Sequence, residues 1–192
     1  AFNHAGHDDL LKGISEFVKE LGEIKFQPTR ISRARTQAIP PVSKGHSEDA
    51  VLPISDTHFG DVIRREDTSG FPEYDLEIAG NRFGYVIGRA KQVLALHRAM
   101  YPIHTLYVPV LGDIGNGELW DAPKSNALFL PAQVHFSYHM LKFGIEDLLT
   151  LVDGGIIKKV CLLFSVGNHM RLDERMPTKY QAQRTLDWLI YQ

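Results

Sequence analysis

Three short apolar runs, each closed by a small residue and then by oxygen- or nitrogen-bearing side chains, constrain this chain more than anything else in it. Val51-Leu52-Pro53-Ile54-Ser55 leads into Asp56-Thr57-His58. Leu106-Tyr107-Val108-Pro109-Val110-Leu111 leads into Gly112-Asp113. Val160-Cys161-Leu162-Leu163-Phe164-Ser165-Val166 leads into Gly167-Asn168-His169. Each run reads as a buried strand. Between them, residues 75–99 and 132–151 carry helical periodicity, with Ala79, Phe83, Ile87, Ala90 and Leu94 on one face of the first. Gly154-Gly155 ends the second. Strand, helix, strand, helix, strand predicts an α/β domain with right-handed crossovers and a mainly parallel sheet. In such sheets ligands bind beyond the carboxyl ends of the strands.

Those ends would deliver Asp56, His58, Asp113, Asn168 and His169 to one edge. Asp56 and His58 are two apart, so on an extended strand end they point the same way. Carboxylate, imidazole and amide oxygen suit Mn, Fe, Zn or Mg better than a thiolate-seeking metal.

Asp-x-His, then Gly-Asp, then Gly-Asn-His, in that order and at nearly even intervals, resembles the calcineurin-like metallophosphoesterases. The likeness covers about residues 51–175. It implies a layered sheet with helices packed on its faces and a centre of two divalent metal ions: Mn, with Fe, Zn, Mg or Ni as alternatives. By that likeness Asp56 and His58 would bind the first ion, Asp113 would bridge both, and Asn168 would bind the second. His169 would be catalytic, protonating the leaving oxygen or stabilising the transition state. Two ions about 4 Å apart can activate water and clamp a phosphate for in-line attack.

The resemblance has departures. The family supplies further histidines on later strands, and this chain has none after His169. Gly112-Asp113-Ile114-Gly115-Asn116-Gly117 lacks the Asp-Arg pair of the protein-phosphatase branch, and Met170 stands where many members are acidic. The Gly-Asn-His-x-Arg run and the later Asp187-Trp188-Leu189-Ile190-Tyr191 look most like phage-encoded members. Thr178–Gln192 reads as one helix that stops in mid-pattern, so the catalytic domain is expected to be truncated at its C-terminus.

The expectation is therefore a phosphodiesterase or nuclease acting on a phosphoester, with DNA and RNA among the candidate substrates, through metal-activated water. A protein or small-molecule phosphomonoesterase is the alternative, as is a non-catalytic binding module that keeps the fold. Arg171 and Asn116 are candidate substrate contacts; Glu118 and Asp121 follow in the same loop. His135 and His139 share a helix face but lack the Glu of a zinc-protease motif, so they read as surface histidines.

Residues 1–47 form a separate N-terminal region, and the domain proper is placed at 48–192. Leu10, Leu11, Ile14, Phe17, Val18 and Leu21 fall on one stripe of an amphipathic helix expected over 8–21. Residues 24–47 hold Lys25, Arg30, Arg33, Arg35 and Lys44 and no acidic residue. They read as a connector or as a nucleic-acid arm in which Arg30, Arg33 and Arg35 displace counterions. At 192 residues and 44% hydrophobic content the chain can bury one core, and a net charge of −2 demands no special partner. No apolar run is long enough for a membrane span. The single cysteine, Cys161, reads as a core residue in a reducing compartment, the cytoplasm, of the host if phage-encoded.

Overall fold

Ile103–Val110 forms the middle strand of a three-stranded parallel sheet, because its apolar residues can be covered while both edges find partners. The computed structural model describes residues 47–70, 72–119, 126–175 and 179–192. All of them belong to one compact unit, Ile31–Gln192. The expected helix at 8–21, the arginines Arg30, Arg33 and Arg35, and Asp121 lie outside the described residues. The strands are β1 (Glu48–Val51), β2 (Ile103–Val110) and β3 (Lys159–Phe164), in the order β1-β2-β3. The helices are α1 (Leu76–His97), α2 (Leu130–Asp153) and the short α3 (Leu186–Tyr191). The chain is thus α/β with a small parallel sheet, as the alternating pattern requires.

The register runs Val51 opposite Tyr107 and Tyr107 opposite Cys161. The first strand is shorter than its apolar run. Pro53 and Pro109 both lack an N–H, and the regular ladder stops at Val51. Pairing resumes as a bridge between Ile54 and Val110. From there residues 54–59 run beside 110–115, with His58 N–H donating to Asp113 O (3.1 Å) and Phe59 N–H to Ile114 O (2.8 Å).

Asp75 starts α1 by accepting the Ile78 N–H at 2.7 Å. Both long helices lie on one face of the sheet, as successive right-handed crossovers between neighbouring strands dictate. They touch at Gly144, where an added Cβ would stand 2.6 Å from the Phe83 ring. Phe59 packs edge-on against Phe83 and Phe136, at centroid distances of 5.7 and 5.5 Å. The residue after His58 is thereby nailed into the core between the two helices. On the opposite face Val51 and Leu163 are exposed and Cys161 is half-buried, not the core residue its apolar run suggests.

Thr178–Gln192 is not one helix. Thr178 lies outside the described residues; Ala182–Arg184 forms a 3-10 turn, and Thr185 is extended before α3 begins. The break follows from pairing: Thr185 bridges Arg171, and Leu186 N–H donates to Met170 O at 2.8 Å. No helix among the described residues is long and apolar enough to cross a membrane.

Lys91 and Asp147 form a buried ion pair between α1 and α2. Removing one partner strands the other charge, which costs about 3–5 kcal/mol, whereas an apolar pair of similar volume is tolerated. Asp147→Ala should lower the urea midpoint sharply, and Lys91→Met with Asp147→Leu should recover most of it. Gly84→Ala, in open space on α1, should instead gain up to about 1 kcal/mol.

Candidate metal centre

Parallel pairing brings the three motif-bearing strand ends to the same edge. Gly112 turns the chain at φ +90°, a conformation that suits glycine. The turn lets the backbones at Gly112 and Gly167 touch. A Cβ on Gly112 would lie 2.1 Å from Gly167 N, and one on Gly167 would lie 2.1 Å from Asp113 Oδ1. The Asp113 carboxylate therefore reaches across to the next strand end. Its Oδ1 accepts the N–H groups of Asn168 (2.8 Å) and His169 (2.7 Å).

Asp56, His58 and Asp113 all sit at positive φ, 53°, 44° and 52°. Ser69 and Tyr180 share that backbone region elsewhere in the described chain. Left-handed backbone costs a non-glycine residue about 1–2 kcal/mol. The imidazoles of His58 and His169 meet edge to face, with centroids 4.4 Å apart. His58 Nε2 is 3.9 Å from Asp56 Oδ1. The Asp56 side chain is 66% exposed, and its Oδ2 accepts the Ser55 hydroxyl. Thr57, between the two, donates its hydroxyl to Ile114 O at 2.8 Å.

Asn116, expected to touch substrate, is buried in the wall of the site. Its Nδ2 donates to Asn126 Oδ1 (2.8 Å), and Asn126 Nδ2 donates to Gly117 O (2.7 Å). That fixes the amide so that Asn116 Oδ1 faces His58 Nδ1 at 3.0 Å. The Asn116 carbonyl lies 3.2 Å from His169 Nδ1. Arg171 is half-buried, with its backbone paired to Thr185. Glu118 accepts the Leu130 N–H and so caps α2. His135 and His139 meet edge to face on α2, with centroids 4.3 Å apart; burial lowers the His139 pKa, and the nearby His135 and Lys142 add to this.

One residue of the site had no separate signal in the sequence. Asp187, at the start of α3, is fully buried and accepts N–H groups from Gly167 (2.8 Å), Asp113 (3.3 Å) and Ile114 (3.3 Å). Burial raises its carboxyl pKa; the three N–H groups oppose this and the nearby Asp113 charge adds to it. Tyr191, one turn on, donates to Ser165 O at 2.9 Å and stacks on Phe164. Burial, then Asp187 and Asp113, push its hydroxyl pKa up.

The expected ligands and His169 are thus neighbours. Even so, among the described residues no three His, Cys, Asp or Glu side chains gather into a metal-binding group. The Asn168 amide is outside that set, and Asp113 Oδ1 is turned to the 168–169 amides. No protein-family model, curated protein or solved structure matches this chain.

Gly167→Ala tests the crossing directly. Its methyl would overlap the Asp113 carboxylate, and overpacking of that kind costs about 1–3 kcal/mol. A lower urea midpoint, with displaced amide resonances at Asp113 and His169, is the expected result.

Proposed function

We propose that this chain is a metal-dependent phosphoesterase, acting on phosphodiesters and related to the calcineurin-like metallophosphoesterases. The meeting of Asp56, His58, Asp113, Asn168 and His169 at one sheet edge carries the reading, with three of the five at positive φ. Backbone strain clusters at functional sites, where the surrounding structure over-determines it.

The donor set fits a hard or borderline divalent cation. Asp56 and His58 would hold one ion, Asn168 a second, and Asp113 would reach both. Bound there, the ions would neutralise phosphate charge and lower the pKa of water. The remaining chemistry belongs to side chains. With Asn116 Oδ1 as acceptor, the His58 proton sits on Nδ1 and Nε2 keeps its lone pair toward Asp56. By the same logic His169 Nδ1–H donates to the Asn116 carbonyl. Nε2 is then the nitrogen that would deliver a proton to the leaving oxygen, from the doubly protonated form of the ring, leaving the neutral Nδ1–H imidazole. The basic stretch with Arg30, Arg33 and Arg35 supports a nucleic-acid phosphodiester over a small monoester.

A second reading is a binding module that keeps the fold with an incomplete centre; the commitment of Asp113 Oδ1 to the Asn168 and His169 amides favours it.

The test is hydrolysis of bis-p-nitrophenyl phosphate and of p-nitrophenyl phosphate, with Mn²⁺ and with chelator. Mn²⁺-dependent turnover of the diester is expected. Asp113→Asn keeps an oxygen for the Asn168 and His169 amides, so it should fold and yet lose activity by at least about 100-fold. His169→Ala should cost about 10²–10⁴-fold. Equal rates in Mn²⁺ and chelator would refute the reading; silence on both esters without Mn²⁺ uptake would favour the binding module. On DNA, the rate at sub-saturating substrate should fall with salt, and the Arg30/Arg33/Arg35 triple alanine variant should flatten that dependence.

A further inference from the structure

Among the described residues, two buried carboxylates, Asp147 and Asp187, stand outside the proposed ligand set. Asp147 is accounted for by Lys91. Asp187 answers to main-chain N–H groups from two different strand ends: Asp113 and Ile114 after β2, and Gly167 after β3. The amides of Asn168 and His169 go to the Asp113 side chain. Two carboxylates therefore share the amides of both turns, and Asp187 takes those that Asp113 cannot reach. Its position is set by the same stretch it braces, because Leu186 N–H bonds Met170 O and Thr185 pairs with Arg171. With 0% exposure and oxygens given to amides, Asp187 touches no substrate.

We infer that Asp187 is the positioning residue of the metal centre: it fixes the gap between Asp113 and the Gly167–His169 turn, and so sets how tightly a divalent cation is held. This inference rests on the phosphoesterase reading. A small apolar side chain at 187 would leave three amides from two strands without their common acceptor, and the turns would be free to part. Loss of such outer support costs about 10- to 100-fold in metal affinity.

The experiment is Mn²⁺ binding to the full chain, read by electron paramagnetic resonance, together with amide hydrogen exchange. Wild type, Asp187→Ala, Asp187→Asn and Asp147→Asn are compared at a temperature where each is folded. Asp187→Ala should weaken Mn²⁺ binding about 10- to 100-fold. It should also speed exchange selectively at Asp113, Ile114 and Gly167. Asp187→Asn keeps one carbonyl oxygen and should fall between, which a merely destabilised fold would not produce. Asp147→Asn disturbs a buried carboxylate between the helices and should leave Mn²⁺ binding unchanged. If the alanine variant does not fold, the asparagine variant decides. Wild-type affinity in a folded Asp187 variant, or an equal loss in Asp147→Asn, would overturn the role. A wild-type protein that takes up no Mn²⁺ would overturn the metal-centre reading itself and this inference with it.

Discussion

Parallel pairing of β2 with both of its neighbours is the constraint from which the rest follows. Parallel strands need a return crossover, and here α1 and α2 supply it on one face. The same direction for all strands leaves their carboxyl ends on a common edge. Asp56, Asp113 and Asn168 are far apart in sequence, and each follows a strand whose end must fall beside the others. The neighbourhood of these residues is thus a property of the topology before it is a property of any side-chain contact.

Topology alone would leave three loose loops. What organises them is a set of amide-to-carboxylate bonds across strand ends, five in all between Asp113, Asp187 and their N–H donors. Hydrogen bonds to charged groups contribute about 1.5–3 kcal/mol each, against about 1–2 kcal/mol for each left-handed residue. Bonds of this kind can hold Asp113 in backbone that L-residues avoid, even after the burial of Asp187 is counted against them, while Asp56 and His58 are tied to the same turn through their N–H groups to Gly112 O and Asp113 O. Phe59 adds an apolar anchor directly behind His58, so the Asp56–His58 turn is held from the core side as well.

The parts legible in the sequence are those with a local signature. The three apolar runs, the small residues after them and the Gly154-Gly155 stop each work over a few residues. Other features depend on what the chain meets in space. Thr178–Gln192 has helical spacing of apolar residues, but Thr185 is drawn into pairing with Arg171 and the helix shortens to α3. Cys161 sits in a continuous apolar run, and such a run does not say whether both sheet faces are covered. Asn116 was legible as part of the site, yet its burial between His58 and Asn126 turns a candidate substrate contact into a support. Asp187 carried no motif chemistry of its own, and its role exists only because two strand ends converge on it.

The orientation of the two histidines rests on neutral groups. Gly117 O fixes Asn126, Asn126 fixes the Asn116 amide, and Asn116 presents an oxygen to His58 and its carbonyl to His169. Dipoles at hydrogen-bonding distance inside a buried wall are hardly screened by salt, whereas attraction between exposed charges fades beyond a Debye length of about 8–10 Å. Ionic strength should therefore leave the alignment of the imidazoles untouched.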